Sequence, residues 1–142
     1  MRTVPVSLGD RSYRIHVGPG LLSRIGRECR SLGLGKRCAI ITDTNVAPLY
    51  SRTIEESLAA AGFEPMRVTV PSGETAKSLK VVTESYDQLA AQRLERKSFI
   101  VALGGGVVGD QAGFVAATYL RGIAFVQVPT TLLAQVDSSV GG

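Results

Sequence analysis

A chain of 142 residues is long enough for one folded domain, and its 44% hydrophobic and 20% charged residues are typical of a soluble globular protein. Its formal net charge of +4 comes without a cluster of basic residues, which argues against nucleic-acid binding, and no run approaches the ~18 apolar residues of a membrane span. One histidine and two scattered cysteines argue against a metal site within these residues, and with the lack of a signal-peptide core they predict a reduced, cytoplasmic protein.

Hydrophobic periodicity predicts a strand pair at the start, followed by alternating helices and strands. Val4, Val6 and Leu8 are apolar residues at every second position, and so are Tyr13, Ile15 and Val17. Further on, the patterns predict helices over 21–32, 46–61, 79–90 and 107–120, strands over 38–42, 66–70, 99–103 and 123–128, and a last apolar helical stretch from 130 onwards. This order predicts an α/β fold, a Rossmann-like, mostly parallel sheet with helices on both faces.

Four polar or glycine-rich segments leave the carboxyl ends of the predicted strands. Because ligands of such sheets bind at those ends, we expect the four segments to meet at one edge and to form the site. They cover residues 43–45, 72–74, 104–110 and 130–131.

The glycine-rich segment is the strongest of these features. Gly104 to Asp110 reads GGGVVGD, which matches G-x-G-x-x-G after a strand and before a helix, the context of a diphosphate-binding turn. An ordinary dinucleotide fold has an acidic residue about 20 positions later to hold a ribose. Pro129 and two threonines stand there instead, so a standard dehydrogenase unit is not indicated. Asp110 either complements the helix dipole or accepts hydrogen bonds from ribose hydroxyls.

The other polar residues of this edge each have a purely structural alternative. Glu74 and Lys77 are spaced as an exposed ion pair on a helix. Asp43 and Asn45 are residue types that often serve as turn and cap residues. His16 falls on the expected solvent face of its strand.

Four motifs in order give the chain its resemblance to a known family. They are PSGExxKSL at 71–79, ALGGGVVGD at 102–110, YxRG at 119–122 and VPTTLLAQVDSSVGG at 128–142. With them, the whole chain resembles the 3-dehydroquinate synthase family. The resemblance implies conversion of 3-deoxy-D-arabino-heptulosonate 7-phosphate to 3-dehydroquinate and phosphate, on the shikimate route to chorismate and aromatic amino acids. It also implies NAD as a recycled oxidant and a divalent metal, zinc or cobalt.

Carried over residue by residue, the resemblance implies substrate contacts and cofactor contacts but no catalytic residue and no metal ligand in these 142 residues. Arg121 corresponds to an arginine that binds the phosphate end of the substrate across a homodimer interface, and Asp137 lies at the pocket shared by cofactor and substrate. The implied NAD contacts are Asp43, Asn45, Ser72, Gly73, Glu74, Lys77, Gly105, Gly106, Val107, Val108, Gly109, Asp110, Thr130 and Thr131.

The resemblance also implies that residues 1–142 form the NAD-binding N-terminal domain only. The metal ligands of the family lie in a helical C-terminal domain that these residues do not include, so we expect the chain to be inactive alone. Three alternatives stay open: a related sugar-phosphate cyclase, a metal-dependent polyol dehydrogenase such as glycerol dehydrogenase, and a nucleotide-binding module without catalysis. The dehydrogenases share the Gly-Gly-Gly turn but not the run 129–142, which argues against them.

Overall fold

The structure, a computed structural model, describes residues 1–140 and has the predicted α/β architecture. The strands are β1 (Arg2–Val6), β2 (Tyr13–Val17), β3 (Arg37–Asp43), β4 (Glu64–Val70), β5 (Phe99–Gly104) and β6 (Ala124–Pro129). The α-helices are α1 (Ile25–Arg30), α2 (Ala47–Ala60), α3 (Leu79–Ala91) and α4 (Gly106–Thr118), and a π-helical segment covers Ala134–Ser138.

Four strands form one parallel sheet in the order β4-β3-β5-β6. Such strands need helical crossovers, and the alternation of helices and strands along the chain supplies them. The first two strands pair with each other in a separate antiparallel hairpin. Both the parallel sheet and the opening strand pair were predicted from periodicity, and both are confirmed.

Helices cover both faces of the parallel sheet, which explains why its central strands read as continuous apolar runs. One core packs α1 and α2 against residues such as Ile40 and Phe99. The other packs α3 and α4 against the opposite side chains of the same strands, such as Ile41 and Ile100. The hydrophobic surface that stabilises the domain is therefore buried in two layers.

The connections after β3 and β5 leave the sheet on opposite faces. The chain passes from β3 to α2 on one face, and from β5 to α4 on the other, while β3 and β5 are neighbours in the sheet. Such a divergence opens a crevice at the carboxyl ends of the two strands, the usual ligand position in open α/β sheets. The fold thus places the four polar or glycine-rich segments, at residues 43–45, 72–74, 104–110 and 130–131, around this crevice.

Two regions differ in detail from the periodicity predictions. The hairpin of β1 and β2 is largely exposed, and His16 is not a free surface residue, because its Nδ1 lies 3.1 Å from Thr3 Oγ1 and its Nε2 lies 3.9 Å from Glu28 Oε2. The last apolar stretch continues as a π-helical segment instead of a regular α-helix. Among the helices of residues 1–140, none is both long and apolar enough to cross a membrane.

Candidate functional site

The turn between β5 and α4 lies against the end of the chain. A Cβ atom added to Gly105 would lie 3.3 Å from Thr131 Cγ2, and one added to Gly106 would lie 3.0 Å from Ser138 Oγ. No side chain of the described residues caps the N-terminus of α4, so its first N–H groups are open to a ligand. The two glycines therefore allow the end of the chain to pack closely against the start of α4.

The rest of the glycine motif contributes in different ways. The side chain of Val108 is buried and packs where Gly104 has no Cβ, since an added Cβ would lie 2.7 Å from it. Val107 packs against the core of α3 and α4, and the N–H of Gly109 donates to the carbonyl of Gly105 at 3.0 Å. Of the contacts implied for these residues, the N–H groups of Val107 and Val108 at the helix start are the ones best placed to reach a bound anion.

Lys77 connects the segment after β4 to α4. Its Nζ lies 2.8 Å from Asp110 Oδ2 and 3.7 Å from Glu74 Oε2. The hydrogen bond to Asp110 is the main reason that the pKa of Lys77 is raised, with a smaller contribution from Glu74 and with desolvation opposing the rise. The exposed pair of Glu74 and Lys77 expected from spacing is thus present, but Lys77 also has a second and closer partner.

Asp110 lies further into α4 than expected. The helix begins at Gly106, so Asp110 is its fifth residue and the first turn contains no acidic side chain. Because the helix dipole acts mainly within the first turn, complementing that dipole is a poor explanation for this carboxylate. Its position beside Lys77 at the crevice fits a ligand-facing role better.

The segment after β3 is held by its own aspartate. Asp43 Oδ1 accepts hydrogen bonds from the N–H groups of Asn45 and Val46, both at 2.8 Å. This is the turn role that the residue types indicated, and it fixes the entry to α2. The side chain of Asn45 in this turn is exposed.

Local contacts also order the segments at residues 72–74 and 130–131. Gly73 has φ +85°, a left-handed conformation that favours glycine and lets the chain turn between Ser72 and Glu74. Thr130 donates its N–H to the carbonyl of Gly104 at 2.9 Å, which fastens the end of β6 to the end of β5. Thr131 Oγ1 accepts a hydrogen bond from the N–H of Ala134 at 3.1 Å, and so starts the final helical segment.

A cavity of about 400 Å³ lies beside the Lys77–Asp110 pair, between the start of α3 and the first turns of α4. Its walls are mostly apolar, with the charged groups of Lys77 and Asp110 at one edge. The lining residues are Lys77, Ser78, Leu79, Val82, Asp110, Gln111 and Phe114.

Arg121 is not brought to this crevice. It precedes β6 and lies with Arg96, which precedes β5, on a second cavity of about 230 Å³ at the amino ends of the strands. A six-residue strand such as β5 spans roughly 20 Å, so Arg121 is well separated from the glycine turn of its own chain. Leu120 and Arg121 both have positive φ, at 50° and 66°, a strained conformation that presents this turn at the surface.

Asp137 lies on the π-helical segment that closes over the start of α4. Its side chain is exposed, and the neighbouring Ser138 contacts Gly106 as described above. Ser138 has no predicted role in the sequence analysis, yet its buried hydroxyl has no hydrogen-bond partner within residues 1–140. Gln111 likewise has no predicted role, although a polar residue in an otherwise apolar helix was a usable signal.

Residues 1–140 hold no group of three or more His, Cys, Asp and Glu side chains that could bind a metal ion. The two thiols are buried, and burial raises the pKa of Cys29 to about 11 and that of Cys38 to about 12. They are therefore protonated at neutral pH and behave as core residues.

A family model described as 3-dehydroquinate synthase N-terminal matches residues 67–142, more than half of the chain. The chain belongs to this family. The 3-dehydroquinate synthase of Geobacter metallireducens is 63% identical over 142 residues, which are all of this chain and 39% of that protein. The 3-dehydroquinate synthase of Desulforamulus reducens is 51% identical, again over the whole chain and 40% of its own length. The chain thus spans about two fifths of these synthases.

Solved structures agree with membership of the 3-dehydroquinate synthase family. A 2-deoxy-scyllo-inosose synthase complexed with carbaglucose-6-phosphate, NAD⁺ and Co²⁺ superposes with a TM-score of 0.87 at 29% identity, over 96% of this chain and 38% of that one. ValA, a 2-epi-5-epi-valiolone synthase of Streptomyces hygroscopicus with NAD⁺ and Zn²⁺ bound, gives a TM-score of 0.78 at 31% identity, over 96% of this chain and 37% of that one. Glycerol dehydrogenase of Schizosaccharomyces pombe, at 19% identity and a TM-score of 0.59, shares the fold alone.

Proposed function

We propose that residues 1–142 are the NAD-binding N-terminal domain of a 3-dehydroquinate synthase, a lyase of aromatic amino-acid biosynthesis. The full-length enzyme would convert 3-deoxy-D-arabino-heptulosonate 7-phosphate to 3-dehydroquinate and phosphate. The observation that carries the proposal is the uncapped N-terminus of α4 at the divergence of β3 and β5, with the Lys77–Asp110 pair beside it. Relatives of 50% identity and more over this chain bear the same name.

The described residues fit a dinucleotide. The N–H groups at the start of α4 have no side-chain cap within the described residues and suit a diphosphate, and the two glycines there carry no side chain to cover them. Asp110 offers a carboxylate to ribose hydroxyls, while Lys77 holds that carboxylate in place, and the turn that the Asp43 carboxylate caps would border the cofactor on the far side. Bound NAD would supply a transient oxidant, so that a ring hydroxyl becomes a ketone before phosphate leaves and is restored afterwards.

The implied contacts divide between backbone and side-chain groups. The cofactor would be bordered by the turn at Ser72, Gly73 and Glu74. It would also be bordered by the segment after β6, which contains Thr130 and Thr131. The exposed side-chain amide of Asn45 would contact the cofactor directly. At the start of α4 the contacts would come from the backbone of Val107, Val108 and Gly109. For a zinc or cobalt ion, the ligands would come from a C-terminal helical domain outside these residues.

The position of Arg121 supports a homodimer. Arg121 lies at the amino ends of the strands, far from the crevice of its own subunit. It could therefore bind the phosphate of a sugar-phosphate substrate only in the crevice of another subunit. A second subunit would supply that site, with Asp137 on the crevice side of the same substrate pocket. The protein would act on this small molecule in the cytoplasm, without nucleic acid or membrane as a partner.

The proposal is tested by two measurements. Titration calorimetry of the full-length protein with NAD should give saturable binding. The isolated 142-residue chain should bind NAD more weakly, because the resemblance to the family implies a cofactor cleft that the helical C-terminal domain helps to form. The full-length protein should release phosphate from the heptulosonate phosphate, and the isolated chain should release none. A full-length protein that binds no NAD would refute the cofactor assignment.

A related sugar-phosphate cyclase is the second candidate, because the solved structures with the TM-scores given above are cyclases of this kind. The same assay separates the two. Turnover of glucose 6-phosphate, whose carba-analogue is bound in the 2-deoxy-scyllo-inosose synthase, in preference to the heptulosonate phosphate would favour such a cyclase and would leave the cofactor assignment unchanged.

A further inference from the structure

Two neighbouring turns at the amino ends of β5 and β6 each carry an arginine. Phe99 and Ala124 are register partners at the starts of these strands, so the segments that lead into them, with Arg96 and Arg121, lie side by side. Both arginines line the cavity of about 230 Å³, and both are exposed. A ligand that enters this cavity from solvent therefore meets two cationic side chains.

Hydrogen bonds fasten the two turns to each other. Tyr119, which begins the turn of Arg121, donates its phenolic hydroxyl to the carbonyl of Leu94 at 2.9 Å, and Leu94 leads into the turn of Arg96. That second turn is closed by Ser98, whose Oγ accepts the backbone N–H three residues earlier at 2.9 Å. The two arginines are thus held on one rigid base, as specific recognition of a ligand requires.

The two guanidinium groups have no carboxylate partner in the part of the chain that the structure describes. None of the ion pairs within residues 1–140 includes Arg96 or Arg121, whereas Arg52 and Arg67 each bind a glutamate. Two like charges at one cavity repel each other, and an anion between them would relieve that repulsion. The left-handed backbone at Leu120 and Arg121 agrees with a binding role, because strain of this kind collects at ligand sites.

We propose that Arg96 is a second phosphate-binding residue, which acts together with Arg121 on the phosphate monoester of a substrate held in the crevice of the other subunit. The inference rests on the proposed function, which assigns this phosphate contact to Arg121 alone. A guanidinium donates paired hydrogen bonds to phosphate oxygens, and a phosphate dianion has enough oxygens to accept such a pair from each of two arginines. Arg96 would thereby strengthen the preference for a phosphorylated sugar.

The test is made in the full-length protein with Arg96→Gln, which removes the charge and keeps a polar side chain. We expect the KM for the heptulosonate phosphate to rise at least about tenfold, because one charge-assisted interaction is lost. Inhibition by inorganic phosphate should weaken by a similar factor, while the dissociation constant of NAD and the thermal midpoint should not change. Arg96→Lys should recover only part of the loss, since an ammonium group lacks the paired donors of a guanidinium.

The matched control is Lys97→Gln, because Lys97 is exposed, carries the same charge and does not line the cavity. It should leave the KM and the inhibition by phosphate unchanged. In the double variant Arg96→Gln with Arg121→Gln, the rise in KM should be smaller than the product of the two single effects, because both residues act on one phosphate.

Three results would overturn the inference. They are a folded Arg96→Gln variant with unaltered KM and phosphate inhibition, an equal loss in Lys97→Gln, and fully multiplicative effects in the double variant. If Arg96→Gln does not fold, Arg96→Lys is measured in its place. Absence of phosphate release by the unaltered protein would instead remove the proposed function on which the inference rests.

Discussion

Lys77 Nζ lies 2.8 Å from Asp110 Oδ2, and this ion pair joins the segment after β4 to α4. Both side chains are substantially exposed, so the pair contributes little to global stability. Its effect is positional, because it orients the carboxylate at the point where the glycine turn opens. Sequence spacing pairs Lys77 with Glu74, and the tertiary structure adds the closer partner, 33 residues further along the chain.

Asp110→Asn in the full-length protein should impair NAD binding more than folding. If the carboxylate accepts hydrogen bonds from a ribose, its loss removes an interaction of about 1.5–3 kcal/mol, which corresponds to a roughly ten- to hundredfold rise in the dissociation constant. Calorimetry gives that constant, and thermal unfolding gives the stability. Asp87→Asn is the control, since Asp87 is exposed on α3 away from the cavity. Unchanged NAD affinity in Asp110→Asn would remove Asp110 from the site.

Gly106→Ala should separate the two uses of the glycine turn. The new Cβ would lie 3.0 Å from Ser138 Oγ, which is tighter than ordinary packing, so we expect both stability and NAD affinity to fall. In the double variant Gly106→Ala with Ser138→Ala, that crowding is relieved and stability should recover. If a diphosphate needs the space, NAD affinity should stay low. Full recovery of NAD binding in the double variant would mean that the glycine serves chain packing alone.

Gly113→Ala is the matched control for that experiment. Gly113 lies in the interior of the same helix, and its added Cβ would meet the ring of Phe125 at 3.5 Å, an ordinary contact. Alanine is favoured over glycine inside a helix by about 1 kcal/mol, so thermal unfolding should show a gain in stability. NAD affinity should not change.

The two buried thiols should make the domain sensitive to alkaline pH. Their pKa values are raised to about 11 and 12 in the folded chain, above the value of 9.0 for a free thiol. A thiol whose pKa is higher in the folded chain than in the unfolded chain stabilises the fold fully at any pH below its pKa in the unfolded chain. That contribution is lost as the pH rises through the pKa of the folded chain. The free energy of unfolding should therefore fall between about pH 9 and 12, and Cys29→Ser/Cys38→Ser should flatten that decline. A thiol reagent that modified either cysteine of the native protein at pH 8 would contradict this.

The isolated chain should self-associate through its last helical segment. Leu132, Leu133 and Val136 are 75%, 70% and 68% exposed and form one apolar surface. Exposed apolar surface of this kind marks an interaction site or an aggregation hazard. Sedimentation velocity should show concentration-dependent association, reduced by Leu132→Lys with Val136→Lys. Leu49→Lys, at a residue 67% exposed on α2, should have no such effect. A monomer at high concentration would count against the prediction.

The sequence by itself determined the class of fold and the edge of the sheet at which the candidate site lies. Strand and helix periods are local properties, and the carboxyl ends of parallel strands necessarily share one edge, so the segments at residues 43–45, 72–74, 104–110 and 130–131 could be grouped without coordinates. The motifs at 71–79, 102–110, 119–122 and 128–142 also determined the family, which the match over residues 67–142 confirmed.

Only the tertiary structure decided which side chains meet and which do not. It paired Lys77 with Asp110, set Ser138 against Gly106 and left Gln111 without a partner beside a cavity, all through contacts between elements distant in sequence. It also placed Arg121 at the opposite edge from the glycine turn. Such contacts depend on strand order and helix packing, which hydrophobic periodicity does not encode. The hydrophobic period of a strand is the same whichever strand lies next to it in the sheet.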